Sequence, residues 1–177
     1  MLKKLPQHEK KIIFLLYIAV LIVLTQFPIR LSAPRLRLNN IRFNLTPFRC
    51  VTNIFSMSQN AVSSGLPLSD YIIPILKNNL RDFMENILLF IPFGFFLKWH
   101  GWKKTAGEVL CASFFLSLLI EALQVISMAF SLSHGRIFDA DDIIANVAGG
   151  MIGFGLFVLL KKIIHSGLFA GEAKGGN

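Results

Sequence analysis

Charge is scarce in this chain of 177 residues. Only 16% of them are Asp, Glu, Lys or Arg, against about 25% in an ordinary soluble domain. A disordered chain is excluded, because disorder goes with few apolar residues and abundant charge. Cysteine is scarcer still. Cys50 and Cys111 are too few for a disulfide framework. One stands in a polar segment and the other inside an apolar run, so no bridge between them is expected. Acidic residues number 10 against 18 Lys and Arg, which leaves a net charge of +8. A surplus of that sign suits nucleic acid, yet no aromatic stacking platform accompanies it. No nucleic-acid partner is expected, because the basic residues stand mainly between apolar runs.

What the chain has in excess is hydrocarbon. It is 54% hydrophobic with 17 Phe, and its mean hydropathy is +0.60. About 20 apolar residues cross a bilayer as a helix. Four segments approach that length, at about 12–28, 83–99, 106–130 and 143–164. The expected fold is an all-α integral membrane protein with four transmembrane helices, since helices satisfy their own backbone polar groups in lipid. One membrane domain covers residues 1–164, and the small polar residues of 165–177 read as a disordered cytoplasmic tail. The first apolar run is long for a cleaved leader. Its one small-residue site, Ser32-Ala33, is followed by Pro34, so it reads as an anchor that stays.

Orientation follows from Lys and Arg in short flanking loops. Lys3, Lys4, Lys10, Lys11, Lys98, Lys103, Lys104, Lys161, Lys162 and Lys174 fall on one side. The opposing basic residues fall in the long loop at about 28–82, except Arg136. Both termini are therefore expected in the cytoplasm. The loops at about 28–82 and 131–141 then share the outer face.

In the long loop, RLRLNNIRFNL (35–45) alternates apolar and polar residues about Asn39-Asn40. Alternation around a two-residue Asn turn predicts a short β-hairpin. It would set Leu36 opposite Phe43, with Arg35, Arg37, Arg42 and Asn44 on one face. That face suits phosphate oxygens, but a solvated basic face fits the pattern equally well. Ser56 to Asp70 has turn composition, and Tyr71 to Asp82 has the spacing of a short interfacial helix.

Polar residues inside the spans carry the functional signal. Ser113, Ser117, Glu121 and Gln124 recur at helical spacing and form one stripe. Such a stripe can be interhelical glue. A carboxylate in a span needs a stronger reason, which favours a site-forming role for Glu121. The last span carries Asp142, Asn146, Gly149, Gly150 and Gly153 on one face, and the glycines read as close packing. Just before it lies GRIFDADD (135–142), where Arg136 neighbours Asp139, Asp141 and Asp142. The plain reading is helix capping, assigned to Asp141, with Arg136 balancing the charge. The sharper reading is an outward-facing site: Arg136 holds an anion, and Asp139, Asp141 and Asp142 are candidate ligands for a divalent cation such as Mg²⁺ or Ca²⁺. His134 reads as a surface residue. Pro92 and Gly94 predict a kink in the second span, with Asn86 near its outer end.

Taken in order, Asn44-Leu45-Thr46-Pro47-Phe48, Asn86 to Gly94 (NILLFIPFG), Glu121-Ala122-Leu123-Gln124, and Gly135 to Asp142 with Asn146 and Gly149-Gly150 resemble the VanZ-like family. The resemblance covers about residues 12 to 160. The family pattern falls on Asn44, Pro47, Asn86, Pro92, Gly94, Glu121, Gln124, Arg136, Asp139, Asp142, Asn146 and Gly150. Thr46 departs from it, standing where an apolar residue is more usual. The resemblance implies a bacterial cell-envelope membrane protein, and the family's prototype is associated with resistance to the glycopeptide teicoplanin.

Two functions are then weighed. One is a non-enzymatic protein that binds a membrane lipid or lipid-linked cell-wall precursor through Asn44, Asn86, Glu121, Gln124, Arg136, Asp139, Asp142 and Asn146. The other is a membrane-embedded enzyme on a lipid-linked phosphate. There Glu121 or Asp142 is the general base and Arg136 steadies the phosphate.

Overall fold

The computed structural model describes residues 5–26, 36–65, 67–103, 105–132 and 137–172. About 80% of the described residues are helical. Its helices are α1 (Gln7–Gln26), α2 (Arg49–Ser63), α3 (Leu68–Trp99), α4 (Ala106–Ala129) and α5 (Ala140–Glu172). Two very short strands, β1 (Phe43–Asn44) and β2 (Phe138–Asp139), and one 3₁₀ turn (Leu38–Asn40) complete the described elements.

The pair α3 and α5 forms the spine of the bundle. Its packing follows from glycine. A methyl group on Gly94 would collide with the Gly150 carbonyl. One on Gly149 would strike the Ile87 carbonyl, and one on Gly153 the Ile91 carbonyl. The two backbones therefore touch, as small residues allow at helix crossings in membranes. Helix α3 runs without interruption through Pro92, although a proline removes one N–H from the ladder. Close to that gap the Tyr17 hydroxyl of α1 donates to the Leu89 carbonyl at 2.8 Å.

Helix α4 starts on a capping box. The Glu108 amide donates to the Thr105 hydroxyl oxygen at 3.2 Å, and the Thr105 amide donates back to the Glu108 carboxylate at 3.0 Å. The apolar core joins Leu21, Phe90, Phe93, Leu97, Val109 and Ile120 from α1, α3 and α4. Two helical stretches, Ala106–Ala129 and Ala140–Ser166, are long and apolar enough to cross a membrane. Along α1, Ile12, Leu15, Leu16, Val20, Val23 and Leu24 all point away from the core.

The connecting segments depart from expectation in three ways. The hairpin does not form among the described residues. Asn39 and Asn40 lie in the 3₁₀ turn, and Phe43 and Asn44 pair in parallel with Phe138 and Asp139. An isolated two-stranded hairpin is marginal in water. The chain instead sends the Arg37 amide to the Ala129 carbonyl at 2.7 Å, satisfying an otherwise orphaned group at the end of α4. Much of the stretch read as turn is helical, because α2 covers 49–63. There Cys50, Ile54, Met57 and Ala61 recur at helical spacing, although polar residues between them hide the pattern. The short interfacial helix is the first part of α3 rather than a separate element. At the other end, α5 continues to Glu172, past the boundary set at residue 164. Residues 173–177 lie outside the described residues.

Candidate functional site

One end of the bundle gathers segments that are far apart in sequence. The β1–β2 pairing is the device. It lays Asn44 beside Asp139, and the Asn44 side-chain amide donates to the Asp139 carboxylate at 2.8 Å. The same carboxylate oxygen accepts the Asp141 amide at 2.9 Å. That bond is an N-cap: Asp139 immediately precedes α5 and binds the amide of its second residue. The cap is therefore Asp139, not Asp141. Three aspartates in four positions all suit capping by residue type, and only the backbone path chooses among them. Asp141 instead accepts the amide of Phe48, tying down the loop that leads into α2.

Glu121 enters from α4. It is 1% exposed, and its carboxylate accepts the Asp139 amide at 3.1 Å. An anion at that point faces the N-terminal end of α5, where the helix dipole favours negative charge. Burying a carboxylate is costly unless it is hydrogen-bonded, and this bond is part of the answer. The rest of the stripe runs inward along α4. Ser117 accepts the Asn146 side-chain amide of α5 at 2.8 Å. Ser113 lies so close to Gly150 that a methyl group there would collide with its hydroxyl. Ser113, Ser117 and Asn146 are all buried. The Ser113 hydroxyl oxygen and the Asn146 carbonyl oxygen have no hydrogen-bond partner among the described residues. The core of the stripe thus keeps unused polar capacity.

Not every candidate joins this cluster. Gln124 turns to α1, donating to the Thr25 carbonyl at 3.0 Å. Asn86 is half-buried and makes no side-chain hydrogen bond to a described residue. Asp142, by contrast, does lie at this end, half-buried in the first turn of α5 beside Asp141. Pro47 is exposed. Arg136 and His134 lie outside the described residues. Of the proposed arginine face, Arg35 lies outside the described residues, Asn44 is 5% exposed and engaged with Asp139, and Arg37 and Arg42 point to the surface.

The described aspartates are not gathered into a cation cage. Among the described residues no three His, Cys, Asp or Glu side chains are grouped to hold a metal. Successive residues of a helix point about 100° apart, and Asp139 and Asp141 are occupied by the cap and the loop. Sequence reasoning passed over the polar end of α1. There Thr25 and Gln26 are buried, and Gln26 accepts from Ser127 at 3.4 Å. Two adjacent polar residues closing an apolar run were the available signal.

Comparison with curated proteins and with solved structures returns no match. A family model described as VanZ/LLP1 matches residues 14–161, a range that includes Asn44, Asn86, Glu121, Asp139 and Asn146. With most of its length matched, the chain belongs to the VanZ/LLP1 family.

Proposed function

We propose that this chain is a multi-pass protein of the bacterial plasma membrane that binds a lipid or lipid-linked anion at an outward-facing site. Four helices span the bilayer in this reading, α1, α4, α5 and the second half of α3, with both termini cytoplasmic. The long apolar stretches of α4 and α5 support it, as does the apolar outer surface of α1. So does the basic bias of the short loops.

The observation that carries the site is the Asn44–Asp139–Glu121 linkage. It ties both outer loops to a carboxylate buried in α4. Arg136 stands three residues before Asp139. In this reading its guanidinium holds the ligand's phosphate, matching its oxygens in a bidentate fork. Glu121, Asp139, Asp142 and Asn146 shape the floor. A protein that holds a lipid-linked wall precursor alters what is displayed at the surface, and teicoplanin-type glycopeptides act there. Sensitivity to such a drug is the expected phenotype.

A second reading is favoured by the placing of Glu121, a buried carboxylate held in position by the Asp139 amide, since a positioned carboxylate can serve as a general base. In it Glu121 or Asp142 is the base of an enzyme acting on a lipid-linked phosphate. One experiment separates the two. Purified protein is incubated with polyprenyl-linked precursors, with and without Mg²⁺, and followed by mass spectrometry. Co-purifying, unaltered lipid that is lost in Arg136→Ala supports binding. A converted product that disappears in Glu121→Gln supports the enzyme. Absence of both, with protein that stays monodisperse, overturns the site.

A further inference from the structure

The far end of the bundle carries a second feature that the site above does not use. Lys98, Phe157, Val158, Lys161, Lys162 and His165 line an open groove of about 520 Å³. The cationic residues come from two helices. Phe157, Lys161 and His165 follow at intervals of four on α5, and Lys98 reaches across from the end of α3. The Lys98 ammonium lies 5.1 Å from the centre of the Phe154 ring, which holds it against α5. Among the described residues no carboxylate lines the groove. Its floor is apolar, formed by Phe157 and Val158, with Phe154 one turn back on the same face of α5.

Depth gives the second argument. Lys161 lies nineteen residues after Asp142 on one helix. At 1.5 Å per residue that is about 28 Å, close to the ~30 Å of a hydrocarbon core. With Asp142 at one membrane surface, the lysines stand at the headgroup level of the other. A soluble anion would use the ammonium groups and leave the apolar floor bare. An amphiphile with an anionic head uses both.

We infer that this groove binds the phosphate headgroup of an anionic glycerophospholipid, with its acyl chains lying on α5. Basic pockets between helices at a cytoplasmic surface have this chemistry. The inference rests on the chain being embedded in a bilayer and not on what the outer site binds.

The chain carries its own reporters. Its two tryptophans, Trp99 and Trp102, both lie at this end. Phe95 packs on Trp99 with ring centres 6.5 Å apart, and on Phe157 at 5.3 Å. Full-length protein is placed in vesicles of phosphatidylcholine containing brominated phosphatidylglycerol or brominated phosphatidylcholine, and tryptophan quenching is measured. Brominated phosphatidylglycerol should reach half-quenching at a mole fraction about fivefold lower. The triple variant Lys98→Gln, Lys161→Gln, Lys162→Gln should quench equally with both lipids, and the matching triple arginine variant should keep the preference. Equal quenching in the wild type overturns the inference. So does a preference that survives the glutamines, or one abolished by millimolar glycerol phosphate, which would make the ligand a free phosphate. If the triple variant does not stay monodisperse, the single Lys162→Gln must still reduce the preference for the inference to stand.

Discussion

Asn44 donates its side-chain amide to the Asp139 carboxylate, although 95 residues separate the two. Asp139 also caps α5 and donates its own amide to buried Glu121. One aspartate therefore couples a loop, a helix start and a carboxylate in the bundle core.

That coupling is measurable as a double-mutant cycle. Asn44→Ala and Asp139→Ala should each destabilise the protein by about 1–3 kcal/mol, because each leaves a polar partner unsatisfied. Their effects should fall short of additivity by about 0.5–3 kcal/mol. Asp139→Asn should cost less than Asp139→Ala, since Asn is an equally good N-cap. Unfolding in detergent, followed by circular dichroism, gives all the values. Strict additivity would show that the bond contributes nothing.

The α3–α5 crossing should tolerate no side chain. Gly153→Leu forces the α5 backbone away from Ile91, at a cost of about 1–3 kcal/mol or more. Gly155, only two residues on, has open space where its Cβ would lie. Gly155→Leu should therefore leave the thermal midpoint unchanged. Fluorescence-detected gel filtration after heating compares the pair directly.

Tyr17→Phe should lower stability by about 0.5–1.5 kcal/mol, the worth of one partly buried hydrogen bond. The ring stays and only the donor to Leu89 is lost. A larger effect on Tyr17→Ala would come from the packing of this ring on Phe14 and Phe96.

Membrane orientation has a direct readout. In a chain with Cys50 and Cys111 replaced by serine, a cysteine at Phe55 should react with an impermeant maleimide on intact cells. One at Lys162 should react only after permeabilisation. The reverse pattern would invert the topology and place the Asn44–Asp139 end in the cytoplasm.

Much of this organisation is legible in the residues. The stripe Ser113, Ser117, Glu121 and Gln124 announces a buried polar face by its spacing alone, and each member is buried. The glycines at 149, 150 and 153 likewise announce a close approach, though not that Gly149 and Gly153 meet α3 while Gly150 meets Ser113 of α4. What stayed hidden depends on partners far away in the chain. Alternation in RLRLNNIRFNL reads the same whether the second strand is its neighbour or Phe138 and Asp139. Local propensity cannot choose among Asp139, Asp141 and Asp142 as the cap. Gln124 belongs to the motif by spacing, yet it spends its amide on Thr25 of α1, a choice set by how α1 leans on the bundle.

The parallel pairing of β1 with β2 also sets an order of events during synthesis. Asn44 leaves the ribosome 95 residues before Asp139, which at about 5–20 residues per second is a wait of roughly 5–20 seconds. Throughout that interval the first loop has no strand to lie against. This end of the bundle can close only after β2 has arrived and α5 has begun to form behind it. Any factor that attends the young chain has that window in which to act.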